Sequence, residues 1–300
     1  MTLAGKVVVV TGAARGVGAG LARGLAARGA RVALLGLEPG ELAAVSGQCP
    51  GSSWWEVDVT DGPALLTVAA DVEDRLGAAD VVILNAGIAV GGPLLLADAD
   101  AYDRVIEVNL LGSIRTARAF LPQVVRTRGY VLQVASVAAM LPLPMMGAYC
   151  ASKSGAEAFG LALRGELRLH GAAAGVAYLS WTDTDMVRGA DAVPGLREMR
   201  ASIPGVLGRT YPLGPAVEAL IDGIERRAPR VYGQRWLRVL NWLRGATPSV
   251  LGHLPASRAR PIERAILEAG PGATMAVGAG GAADRAARVV TQDREPEGRS

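Results

Sequence analysis

Cysteine is scarce in this 300-residue chain. Cys49 and Cys150 are the only two, which excludes a disulfide framework and leads us to expect free thiols in a reducing, cytoplasmic compartment. Histidine is equally rare. His170 and His253 lack ligand spacing to other His, Cys or carboxylate residues, so no metal site is expected; His170, just before Gly171, reads as a helix-end residue. No apolar run is long enough to span a membrane, since the longest, Val81 to Ala97, is interrupted by Asn85, glycines and Pro93. The N-terminal apolar run, Val7 to Val10, is too short for a secretion signal and has no small-residue cleavage site. A dominant charge is missing as well. The formal net charge is +3 with both signs scattered, which argues against nucleic acid as a partner.

Lysine is the most informative scarcity. Lysine and arginine together number 31, yet only Lys6 and Lys153 are lysines. Arginine cannot imitate a compact ammonium on a flexible stem, so a retained lysine can mark a place that needs that shape. For Lys6 an accident of composition is as good a reading; Lys153 is the stronger candidate.

What the chain does contain is a rhythm. Half its residues are apolar, enough to fill the core of one large α/β domain. Apolar, β-branched runs at 6–11, 31–35, 53–57, 80–84, 130–134 and 176–179 alternate with longer amphipathic segments, and a weaker run covers 230–232. That is the βαβ pattern of a Rossmann-type doubly wound parallel sheet with helices on both faces. Its strands read as apolar throughout because both faces are buried. Residues 1–230 are expected to form this domain. Residues 231–269 are expected to form a C-terminal amphipathic extension, in which Trp236 to Leu243 give an apolar face to a basic helix and a short helix covers 262–268. From Gly270 to Ser300 the Gly/Ala-rich and then charged composition predicts a disordered tail.

Thr11-Gly12-Ala13-Ala14-Arg15-Gly16-Val17-Gly18 lies between the first predicted strand and the first helix, which runs to about Arg28. Glycines there permit a tight turn and let backbone N–H groups reach a pyrophosphate at the helix N-terminus, where the dipole favours negative charge. Placement between strand and helix, more than the glycines themselves, points to a dinucleotide. Further on, Tyr149 and Lys153 are four residues apart and share a helix face. A phenol with an ordinary pKa of about 10 is a donor at neutral pH and a scarce base. A neighbouring ammonium is expected to lower that pKa toward the range useful for general acid–base work.

The turn resembles the TGxxxGxG signature, and Tyr149-Cys150-Ala151-Ser152-Lys153 resembles the YxxxK motif, of the classical short-chain dehydrogenase/reductase family. The resemblance extends from about Leu3 to Met186 and carries further motifs in order. It implies that Thr11, Gly12, Arg15, Gly16, Val17 and Gly18 cradle the dinucleotide, and that Asp58 with Val59, after the third strand, meets the adenine. Asn85-Ala86-Gly87, after the fourth strand, matches the NAG motif that supports the cofactor site. Asn109, Ser136, Tyr149 and Lys153 match the family's catalytic set. By resemblance, Tyr149 transfers the proton, Ser136 fixes the substrate oxygen, Lys153 also holds the nicotinamide ribose, and Asn109 positions a water in a relay behind Lys153. Pairing of subunits through the Tyr149 helix is implied too, giving a homodimer or homotetramer.

Two places depart from the family pattern. The acidic position at the end of the second strand holds Gly36, followed by Leu37. With Arg15 able to meet a phosphate, NADP is the expected cofactor, and NAD stays open because of Glu38. After the sixth strand, Leu179-Ser180-Trp181-Thr182-Asp183-Thr184-Asp185-Met186 lacks the family's Pro-Gly. Thr184 best matches the carboxamide contact, with Thr182 as the alternative, and Trp181 is either a pocket wall or a packing residue.

Strand-end loops at 137–147 and 186–212 are the expected substrate-facing segments. The first holds Met140, Leu141, Leu143, Met145 and Met146 and no charge, which suits a bulky apolar ketone or secondary alcohol. The Trp236–Leu243 stretch could close over substrate, bury a dimer contact or rest on a membrane surface, the last not favoured. The expectation is thus an NAD(P)-dependent oxidoreductase. The alternative is a dinucleotide-binding regulatory protein of the same fold without turnover, which would have no need of a proton donor.

Overall fold

The apolar runs form seven parallel strands in the computed structural model, which describes residues 1–203, 205–245 and 256–292. They are β1 (Val7–Thr11), β2 (Arg31–Gly36), β3 (Ser53–Glu56), β4 (Val81–Leu84), β5 (Tyr130–Val134), β6 (Ala173–Tyr178) and β7 (Arg230–Tyr232). The order across the sheet is β3-β2-β1-β4-β5-β6-β7. The winding reverses between β1 and β4, and such a switch opens a crevice at the carboxyl ends of the strands. The weak run at 230–232 is a strand, pairing Val176 with Arg230 and Tyr178 with Tyr232.

The connecting helices are α1 (Gly16–Ala27), α2 (Pro39–Ser46), α3 (Gly62–Leu76), α4 (Ala99–Ile106), α5 (Gly112–Arg126), α6 (Gly147–Arg168), α7 (Asp185–Ala192), α8 (Pro194–Ala201), α9 (Leu213–Glu225) and α10 (Leu237–Leu243). β1 is buried at every residue because its alternate valines serve opposite layers. Val8 and Val10 pack with Leu21 and Leu25 of α1 and Leu220 and Ile224 of α9. Val7 and Val9 pack with Leu65 and Val72 of α3, Phe120 of α5 and Leu167 of α6. Lys6 has a structural explanation. Its Nζ donates to Asp80 Oδ1 at 2.8 Å, while the other Asp80 oxygen accepts from the Val7 N–H at 3.0 Å, pinning the start of β1 to the start of β4.

The 270–300 stretch is not, as far as it is described, the disordered tail that its composition predicts. Residues Gly278–Gln292 form a helix, and a preceding helix spans Ala256–Ala269, longer than the predicted 262–268. The Ala256–Ala269 helix lays Ile266 beside Met199 of α8. The Gly278–Gln292 helix begins where Gly278 crosses α7. A Cβ on Gly189 of α7 would lie 2.4 Å from the Gly278 nitrogen, so two backbones meet where neither residue has a side chain. Glycines that read as flexibility serve a close contact, and alanine, the strongest helix former, carries the turns that follow. Residues 293–300 of the expected tail, and His253, lie outside the described residues. Among the described residues, no helix is long and apolar enough to cross a membrane. α10 buries Leu237 against Val176 and Tyr178 and leaves Val239, Trp242 and Leu243 exposed.

Candidate active site

The crevice at the carboxyl ends of β1 and β4 is built by side chains that tie the two strand ends together. Thr11 Oγ1 accepts from the backbone N–H groups of Asn85 and Ala86, each at 3.0 Å, and Asn85 Nδ2 donates to the Thr11 carbonyl at 2.9 Å. Gly12 turns the chain with φ +63°, and a Cβ on Gly18 would sit 2.1 Å from the Gly12 carbonyl oxygen, so the turn can fold onto α1 only with glycine there. No side chain caps the first turn of α1, and Gly16 and Val17 face the crevice. Uncapped N–H groups at a helix start suit an anion. The cradle therefore fits a dinucleotide pyrophosphate.

Charge gathers at the end of the cleft beside Gly36 and Asp58, where the adenosine is expected from the sequence. Arg15 Nε donates to Glu38 Oε1 at 2.6 Å, with Glu41 and Asp185 carboxylates at 3.4 and 3.5 Å from its guanidinium. Gly36 and Val59 line the same end. Asp58 Oδ1 accepts from the Thr60 N–H and hydroxyl, each at 2.8 Å, and Oδ2 accepts from Arg104 Nη2 at 2.5 Å. Burial by itself would raise the Asp58 pKa, but these donors outweigh it and hold the carboxyl below its ordinary value.

The catalytic candidates come from three elements. Ser136 follows β5, Tyr149 and Lys153 lie on α6, and Asn109 sits in a π turn (Glu107–Leu111) that joins α4 to α5 as one continuous helix. Asn109 is fully buried. Its Nδ2 donates to the Ile88 carbonyl at 3.0 Å and to Ser152 Oγ at 2.9 Å, while Oδ1 accepts from the Ile88 N–H at 2.8 Å. One amide thus locks the segment after Asn85-Ala86-Gly87 to the Tyr149 helix. Lys153 Nζ and Asn109 Oδ1 converge on Gly87, at 3.3 and 3.0 Å from where a side chain there would begin. Lys153 Nζ donates to the Val134 carbonyl at 3.2 Å and lies 5.9 Å from the centre of the Tyr149 ring.

The electrostatics of the pair differ from the sequence expectation of a lowered phenol. Burial pushes the Tyr149 pKa up to about 12, against an opposing pull from the Ser136 hydroxyl. Burial pushes Lys153 down to about 8. Both groups have left water, and each is driven toward its neutral form.

Of the catalytic and cofactor-binding residues expected from the sequence, Thr11, Gly18 and Asn109 stand behind the cleft as its support, and the others line it. Thr184 faces Gly16, with its methyl 3.3 Å from where a side chain there would start, and Thr182 is buried with its hydroxyl donating to the Ser180 carbonyl at 3.0 Å. Trp181 is a wall, backed by the Arg200 guanidinium 5.5 Å from its ring centre. The methionine-rich loop divides. Leu143 and Met146 line the cleft, whereas Met140 and Leu141 are buried against Val176, Tyr178 and Leu237, because the 3₁₀ turn Val137–Ala139 directs them into the core. Met186, Ala190 and Leu196 complete this apolar half.

Three site residues escaped the sequence. Arg104, only 6% exposed, bonds both Asp58 and Asp284; Asp284, 2% exposed, and Val277 reach the cleft from the C-terminal segment. The one available signal for the latter two was the alanine-rich helical composition after Gly278.

The short chain dehydrogenase family profile matches residues 6–193. Among curated relatives, dehydrogenase/reductase SDR family member 7B of Bos taurus is 30% identical over 265 residues, covering 85% of this chain and 81% of that protein. A solved short chain dehydrogenase/reductase of Burkholderia phymatum, in complex with NAD, shares the fold with a TM-score of 0.72 at 22% identity, covering 82% of this chain and 95% of that one. A metagenomic short-chain oxidoreductase in complex with NADP is 33% identical with a TM-score of 0.57, covering 59% of this chain and 83% of that one.

Proposed function

The chain belongs to the short-chain dehydrogenase/reductase family and is on that ground an NAD(P)-dependent oxidoreductase, and from this premise we propose that it interconverts an apolar ketone and its secondary alcohol with Tyr149 as the proton-transfer residue. The observation that carries this is the meeting of Ser136, Tyr149 and Lys153 in one cleft, between a dinucleotide cradle and an apolar half. When bound, the dinucleotide supplies or accepts the hydride.

The chain's own residues do the rest. With its pKa near 12, the Tyr149 phenol carries its proton at neutral pH and is set to donate it to a carbonyl oxygen as that oxygen gains charge. Ser136 Oγ bonds the same oxygen and fixes its position. Lys153, close to Gly87, would hold the nicotinamide ribose hydroxyls, and Thr184, against Gly16, the carboxamide. Asn109 is a positioning residue, since its amide is taken up by Ile88 and Ser152; it fixes the spacing between the Gly87 segment and the Tyr149 helix.

Arg15 and Glu38 govern the choice between NADP and NAD. Arg15 is the basic side chain lining the adenosine end and supports NADP. Glu38 opposes it by occupying the guanidinium at 2.6 Å. The substrate half presents Leu143, Met146, Met186, Leu196 and Trp181, which rewards burial of hydrocarbon and offers no charge to a polar metabolite.

Tyr149→Phe tests the assignment. It is expected to lower kcat at least about a hundredfold while dinucleotide affinity, read by fluorescence titration, changes little. Turnover retained within about tenfold would overturn the proton-transfer role.

A further inference from the structure

The wall facing Tyr149 is not made by strand-end loops alone. Val277, 7% exposed, packs with Ala89 and Leu196 in an apolar cluster that takes in Tyr149, Met186 and Ala190, and it lines the cleft. Its N–H donates to the Ala89 carbonyl at 2.9 Å, which fixes it to the segment that follows Asn85-Ala86-Gly87. The next residue, Gly278, has φ +74°, and a Cβ there would lie 2.7 Å from the Asp185 carbonyl oxygen. Asp284 then accepts from Arg104 Nε at 3.0 Å and Nη2 at 2.8 Å, and the same Nη2 donates to Asp58. The segment is therefore held at three points: on Ala89, on α7, and through Arg104 at the adenosine end of the cleft.

We propose that Val277 is a specificity-determining residue whose side chain limits the length of the substrate that fits beside Tyr149, and that the Arg104–Asp284 pair holds it there. The proposal rests on the reading of the cleft as a ketone and alcohol site. Two of Val277's neighbours in the cluster, Ala89 and Ala190, carry only a methyl group, so shortening Val277 opens space that they cannot refill. In an apolar pocket a single methylene changes discrimination by about tenfold or more.

The test uses the full chain and a homologous series of methyl n-alkyl ketones, with wild type, Val277→Ala and Val277→Leu. The preferred ketone is expected to lengthen in Val277→Ala and shorten in Val277→Leu. The ratio of kcat/KM for long over short ketones should move by about tenfold in opposite directions, with NADPH and NADH affinities within about twofold of wild type. In parallel, calorimetry reads binding of the matching secondary alcohols to the NADPH-loaded protein, a measurement that needs no turnover. If the alanine variant loses its thermal unfolding midpoint, the leucine variant carries the comparison. An unchanged chain-length preference in folded variants, in turnover and in alcohol binding alike, overturns the proposal. A shift in alcohol binding with no ketone turned over by wild type keeps Val277 as the wall and overturns the ketone–alcohol reading of the reaction. If wild type neither turns over a ketone nor binds an alcohol, both fall.

Discussion

Replacing Lys153 with methionine is expected to stabilise the cofactor-free protein at neutral pH while removing its turnover. The residue is 5% exposed and its Nζ bonds the neutral Val134 carbonyl. Burial brings its pKa from 10.5 to about 8, which corresponds to roughly 3 kcal/mol at about 1.4 kcal/mol per pH unit. Below pH 8 the folded and unfolded chains both carry the proton, and the folded state bears the whole penalty. Between pH 8 and 10.5 Lys153 binds more protons in the unfolded chain, so its contribution to wild-type stability rises with pH through that window. Methionine is similar in length and apolar, and forfeits only the hydrogen bond, about 1 kcal/mol. The net gain is about 2 kcal/mol at neutral pH, shrinking as the medium becomes alkaline. Tyr149 acts in the opposite sense above pH 10, since its raised pKa keeps the folded state protonated, so the comparison is confined below that point. Urea unfolding of both apo proteins, repeated at steps from neutral to alkaline pH, reads the difference. A methionine variant less stable than wild type at neutral pH, or a stability difference between the two proteins that does not shrink between about pH 8 and 10, refutes the burial account of Lys153; the difference is the readout because burial also raises the Cys49 and Cys150 thiols in both proteins.

Two further perturbations address the ends of the cleft. Glu38→Gln keeps the shape of the contact to Arg15 but removes its charge, and is expected to raise the affinity for NADPH relative to NADH by about tenfold, the effect of roughly 1.4 kcal/mol; equal changes for the two dinucleotides in a fluorescence titration would show that Arg15 does not meet a 2′-phosphate. Asp284→Asn breaks a buried ion pair and is expected to lower unfolding stability by about 3 kcal/mol, at the low end for such pairs because Arg104 retains Asp58; a loss under about 0.5 kcal/mol, of the size typical of exposed pairs, would mean that the C-terminal helix is not held by that contact.

Local patterns made much of this architecture legible. The turn from Thr11 to Gly18 sits on consecutive residues of a strand, turn and helix, and the four-residue spacing of Tyr149 and Lys153 is a property of α6 alone. The apolar runs marked six strands and hinted at the seventh, since a strand buried on both faces leaves the same trace wherever it lies in the sheet. Contacts between distant segments were not legible. Arg104 meets Asp284 across 180 positions, and nothing near either residue announces the other. The loop from Val137 to Gly147 offered five apolar side chains as equals, and only packing against Val176, Tyr178 and Leu237 separated Met140 and Leu141 from those that face the cleft.

What the amino-acid order alone determined is therefore the doubly wound sheet, its glycine turn and the pairing of a phenol with an amine, each written in periods of two, or of three to four, residues. Only the tertiary structure decided the direction in which burial moves Tyr149 and Lys153, and that the glycine- and alanine-rich end folds back to finish the cleft. Both depend on how much water the rest of the molecule excludes and on which backbones can meet, as Gly189 and Gly278 do. Neither quantity belongs to any short stretch of chain.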